Sequence, residues 1–162
     1  MKFKLVLLLC IPLLFSCKTD DTSSNAEIVI YDGAIPEQIK LYGSLELDKT
    51  HPNLIDPRNS QEDNEAVTKS WLNLNQGLGK FLADNNFEWH TTSEKIQIWH
   101  KFYFHKNGQL KYYYFKVYDN QIDKNNRDKY RQLVTEFAKS YQLPLQRDSQ
   151  FAQCGRGVFL NN

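Results

Sequence analysis

Several groups of side chains in this chain of 162 residues could do chemistry. His51, Asp56 and Arg58 fall within one proline-containing stretch, Leu47 to Asn59. An imidazole as base, a carboxylate to orient it and a guanidinium to hold an anion are the residue types of a hydrolase. The plainer account is a surface loop built on turn-forming Asp-Pro steps. Glu88-Trp89-His90 sets a carboxylate, an aromatic ring and an imidazole side by side, again consistent with an exposed histidine. His100 and His105 are five apart on an expected strand, hence on opposite faces, and cannot share a metal ion. No H-E-x-x-H, C-x-x-C, EF-hand, G-x-S-x-G, P-loop or dinucleotide fingerprint occurs, so neither a metal nor a cofactor is expected. Gly155-Arg156-Gly157 could present a guanidinium to a ligand, or simply place Arg156 in solvent.

Cysteine chemistry is limited. Of Cys10, Cys17 and Cys154, the last has no neighbouring histidine to lower its thiol pKa and reads as a small buried hydrophobe. Recognition has better support than catalysis. The chain holds nine Tyr, ten Phe and three Trp, mostly in its second half, and Trp99, Tyr103, Tyr112, Tyr113 and Tyr114 cluster on one expected hairpin. Such side chains suit protein partners and sugar faces. They equally suit a sheet–helix interface. Consecutive strand residues face opposite sides, so at least one of Tyr112, Tyr113 and Tyr114 must point away from its neighbours.

The N-terminus carries chemistry of another kind. Lys2 and Lys4 precede Leu5 to Phe15, eleven uncharged residues broken only by Pro12. That run is too short for a membrane-spanning helix of about 20 apolar residues and matches the charged and apolar regions of a secretory signal. It ends in Leu14-Phe15-Ser16-Cys17, which resembles the lipobox of bacterial lipoproteins. The resemblance implies cleavage before Cys17, acylation of its thiol and, in many members, of the new amine. Residues 1–16 would then be the signal, 17–26 an acylated cysteine and polar tether, and 27–162 a single domain. Lys18 followed by Asp20 and Asp21 resembles, in part, the surface-export signal of Bacteroidota lipoproteins. These likenesses imply an outer-membrane protein anchored by lipid on Cys17 and facing either the periplasm or the cell surface.

The elements that position these residues follow from pattern. Glu27 to Tyr31 is β-rich and stopped by Asp32-Gly33. A further short strand is expected within Ile39 to Leu47. Ser60 can cap a helix in which Val67, Trp71, Leu74, Leu78 and Phe81 form one apolar stripe that ends at Asp84-Asn85-Asn86. Gly77 and Gly79 imply either a break or a close approach. Ile96 to Phe104 alternates, Asn107-Gly108 turns, and Leu110 to Tyr118 returns. A two-residue and a three-residue turn remain open, and they differ in register by one residue. Asn125 or Asn126 can cap a second helix carrying Tyr130, Leu133, Val134, Phe137, Ala138 and Tyr141 on one face. Gln150 to Leu160 is a last strand whose glycines imply a bulge or a close approach.

The fold class expected is α+β: an antiparallel sheet built on a long hairpin, with two amphipathic helices packed against it. The order hairpin, helix, strand over Ile96 to Leu160 resembles the C-terminal domain of TonB-type proteins. Element order alone carries that likeness, so energy transduction is not implied. Removing Lys2 and Lys4 leaves 18 basic against 19 acidic residues, a balance that does not indicate nucleic acid. The function expected is a lipid-anchored envelope protein whose domain binds a protein or glycan partner without catalysis. Two alternatives stand beside it: an immunity lipoprotein that neutralises a toxin, and an envelope hydrolase using His51, Asp56 and Arg58.

Overall fold

In the computed structural model, residues 28–118 and 122–161 are described. Cys17, the signal and the tether lie outside the described residues. In chain order the elements are β1 (Val29–Asp32), α1 (Pro36–Ser44), α2 (Asn64–Asp84), β2 (Lys95–Phe104), β3 (Leu110–Val117), α3 (Lys124–Ser140) and β4 (Phe151–Leu160). The strands form one sheet in the order β1-β3-β2-β4. The fold is α+β, but two expectations are corrected. The sheet is mixed rather than antiparallel, because β1 pairs with β3 in parallel, Val29 opposite Tyr112. There are also three α-helices among the described residues, not two, since Ile39 to Leu47 forms no strand. Pro36 presets the first turn of α1, and Gln38 reaches back to accept from the Asp32 amide at 2.7 Å.

The hairpin takes the longer of its two turns. His105 N donates to Gln109 O at 2.8 Å, enclosing Lys106, Asn107 and Gly108. Gly108 supplies a left-handed φ of 85°, and the ladder slips between Tyr103 and Phe104. Tyr103 therefore faces Tyr112, and Phe102 faces Tyr113.

Alternation then gives the sheet two unlike faces. The inner face carries Ile96, Ile98, His100, Phe102 and Phe104 of β2, Tyr113 and Phe115 of β3, and Phe151 and Phe159 of β4, all buried. Against it pack Val67, Leu74, Leu78 and Leu82 of α2, with Tyr130, Leu133, Val134 and Phe137 of α3. Polar atoms in this core are chained: His100 Nδ1 meets the Tyr113 hydroxyl at 2.7 Å, which meets that of Tyr130 at 2.7 Å. At one end, Arg127 Nε donates to Asp32 Oδ2 at 2.8 Å, a sheltered ion pair that ties β1 to α3.

The helix starts differ from expectation. Asp63 occupies the cap position of α2 without a side-chain bond, while Ser60 Oγ turns inward to the Leu54 carbonyl at 2.8 Å. Asp123, not Asn125 or Asn126, caps α3 by accepting from the Asn126 amide at 2.8 Å. No break occurs at Gly77 or Gly79; α2 runs through both. The close approach expected in β4 is present. A Cβ on Gly155 would sit 2.9 Å from the Trp71 ring, and one on Gly157 would sit 2.5 Å from His100 Nε2. Bare backbone here lets α2 settle onto the strand.

Candidate functional site

The outer face of the sheet is laid out in rows by the strand register. Ala152, Tyr103, Tyr112 and Val29 lie side by side, then Cys154, Lys101, Tyr114 and Tyr31. Next come Arg156, Trp99 and Lys116. Val158 and Gln97 follow, with Tyr118 joined to Gln97 by a backbone bond of 3.0 Å, and Leu160 beside Lys95 ends the array. Trp99, Tyr103, Tyr112 and Tyr114 thus share one face. Tyr113 does not: it is fully buried on the inner side, against Phe102 and Tyr130, and leaves the set of candidate contact residues.

The first two rows are partly covered, with Val29 at their β1 end left 43% exposed. Tyr42 of α1 stacks on Tyr114 with ring centroids 4.4 Å apart and meets Tyr31 at 5.7 Å. Its hydroxyl is hydrogen-bonded to that of Tyr103, which also donates to Asp48 Oδ1 at 2.7 Å. Lys101 donates to Asp48 Oδ2 at 2.6 Å. Burial opposes the Asp48 charge, but the bonds from Lys101 and Tyr103 outweigh it and hold the carboxyl below its ordinary pKa. Burial first, then bonds to Tyr42 and to an ionised Asp48, keep Tyr103 protonated far above neutral pH. Tyr103 is completely buried, so it is a structural member of this face rather than a contact residue.

His51 belongs to the same cover. Its ring lies edge-on to Tyr103 and Tyr112, its Nδ1 is 3.1 Å from the Leu47 carbonyl, and burial lowers its pKa. Asp56 and Arg58 are turned toward each other in solvent, with Arg58 Nη2 2.5 Å from Asp56 Oδ2. Bonds from Arg58 bring the Asp56 carboxyl down to about 2. The structure therefore does not assemble the three expected hydrolase residues into one site. Cys154, half-buried beside Tyr103, has its thiol pushed up to about 12 by burial and is a poor nucleophile. His90 is exposed, 3.8 Å from Glu88. Among the described residues, no group of His, Cys, Asp or Glu is placed to hold a metal ion.

The remaining rows are open. Trp99 is half-buried, while Tyr118, Val158 and Leu160 are 49%, 56% and 67% exposed. Lys95, Lys116 and Arg156 stand among them without an ion-pair partner among the described residues. Lys116 and Arg156 both approach the Tyr118 ring, 5.9 and 5.8 Å from its centroid. Among the described residues, no carboxylate occupies these rows. Chemically, the area offers aromatic faces, apolar side chains and cationic groups.

No family model, curated protein or solved structure matches this chain. The open face must be read from its own chemistry. Arg156, which the flanking glycines had marked as a possible ligand contact, stands on this face, and Lys95, Lys116, Tyr118 and Val158 join it without having been named among the candidate site residues. The signal for the cations was their alternation with aromatics on β3 and with apolar residues on β4. It becomes visible only once the register sets Arg156, Trp99 and Lys116 in one row.

Proposed function

We propose that this chain is a lipid-anchored cell-envelope protein whose folded domain acts by binding, through the open outer face around Trp99. One observation carries the binding assignment. Trp99 and Tyr118 stand beside three cations that have no ion-pair partner among the described residues, on sheet rows that no described helix covers, whereas the neighbouring rows are partly covered by Tyr42 of α1. A partner surface with large aromatic anchors and a polar surround fits that arrangement. The anchor assignment rests on the lipobox resemblance of residues 14–17. Of the helices described, none is long and apolar enough to cross a membrane.

A photoreactive phenylalanine derivative introduced at position 118 in the native host tests the binding face, with the same group at exposed Lys69 of α2 as control. Discrete cross-linked products at 118 that are absent at 69 are the expected result. No product at 118, or the same products at both positions, would remove the assignment.

A further inference from the structure

The edge of β4 adds a second kind of complementarity to this face. Ala152 N donates to Pro52 O at 2.9 Å, Leu54 N donates to Ala152 O at 2.8 Å, and Cys154 N donates to Asn53 Oδ1 at 3.0 Å. Even-numbered residues of β4 therefore turn their backbone groups away from β2, and odd-numbered ones toward it, as Asn161 N confirms by donating to Glu94 O at 2.9 Å. Beyond Cys154 the loop no longer follows the edge. The N–H and C=O groups of Arg156, Val158 and Leu160 point outward with no bond from any described residue. Natural edges are blunted by a proline, a bulge, inward charge or charged side chains along the edge, and of these the stretch carries only the outward-facing Arg156. Alongside it, between β4 and α2, runs a groove of about 660 Å³ whose walls include Trp71, Leu72, Gln76 and Phe87.

We propose that Arg156–Leu160 is a strand-addition site for an extended, acidic segment of a partner protein. This rests on the binding face proposed above and specifies what it takes. Backbone groups of the incoming strand would satisfy the three outward-facing residues, and its alternate side chains would fall to the two sides of the sheet. On the groove side they meet Trp71 and Leu72; on the outer side they meet Arg156 and Val158, with Lys95 and Lys116 further along the rows. Arg156, on the edge strand itself, is placed to pair with a carboxylate, and Lys95 and Lys116, two and three strands from the incoming segment, add positive field. They also disfavour a second copy of this chain on the same edge, because edge-to-edge pairing would bring two cationic faces together.

The test uses the full chain in detergent and a displayed library of random nine-residue peptides, followed by synthesis of the selected sequences. Enrichment of Asp or Glu at alternate positions is expected. Methylating alternate backbone nitrogens of a selected peptide, which removes its edge bonds but keeps its charge, is expected to weaken binding by at least about tenfold. Val158→Pro should do the same, since the N–H it removes faces outward and the ladder to β2 is kept. Arg156→Glu, a surface change independent of the proline, should also weaken the acidic peptides. Equal binding of methylated and parent peptides would overturn strand addition while leaving the open face as a binding surface. So would selection of basic or uncharged peptides, or no enrichment while an anionic polysaccharide such as polygalacturonate binds in a Trp99-dependent way. Self-association of the full chain abolished by Val158→Pro would assign the edge to a second copy and also overturn the inference. Absence of any enrichment together with no cross-linked product at position 118 would remove both readings.

Discussion

His100 is a neutral imidazole by placement. It is fully buried between Phe102, Tyr113 and Phe159, and burial alone takes its pKa from 6.5 to about 3. Between those values the unfolded chain binds a proton that the folded chain does not, so stability falls as pH falls below 6.5. The slope contributed by one such group approaches about 1.4 kcal/mol per pH unit. The lowered pKa values of His51 and His105, both set first by burial, act in the same direction, whereas carboxylates such as Asp48 and Asp56, also lowered, matter only nearer their own range. Denaturant melts between pH 6.5 and 4.5 should show this loss, and His100→Gln should flatten most of it. An unchanged slope in that variant would mean His100 is protonated in the folded state. At this scale the sequence was informative in one respect. Alternation required one tyrosine of 112–114 to point away, and Tyr113 is that residue. That Tyr103 would lie under Asp48 was not legible, because the contact joins residues 55 apart and Asp48 sits in a single 3-10 turn, Leu47–Lys49, too short to show a pattern.

At the scale of elements, periodicity reported what was amphipathic and little else. The α3 stripe is buried as its spacing required, and Phe137 packs between Phe81 and Tyr141. Phe137→Ala should cost about 3–5 kcal/mol, against at most about 0.5 for exposed Lys139→Ala. Equal shifts in the two melting midpoints would contradict the burial of that face. By contrast, α1 buries no residue, so its sequence had no stripe to read and its apolar residues passed for a strand. It is held chiefly by Tyr42 and the neighbouring Asp48. The parallel pairing of β1 with β3 likewise leaves no local mark, since Val29 and Tyr112 are separated by most of the domain. The candidate face shared that fate: its aromatics were legible one by one, but which half stayed open depended on α1.

For the whole molecule, the anchor and the domain make separable demands. Cys17→Ala should abolish labelling with a clickable fatty acid and leave an unprocessed precursor, while the domain's melting midpoint stays unchanged. Labelling at the normal level in that variant would refute the lipobox reading. Two or three acyl chains, at about 0.8 kcal/mol per buried CH₂, give a stable attachment.

The three tryptophans fall in three different surroundings. Trp89 is sealed in the core, Trp71 lines the groove beside β4, and Trp99 stands on the open face. Their fluorescence therefore reports on three separate places. Single-tryptophan versions made with phenylalanine would give Trp89 a blue emission that shifts only on unfolding. Trp71 and Trp99 would remain open to aqueous quenchers until something occupies the groove or the face.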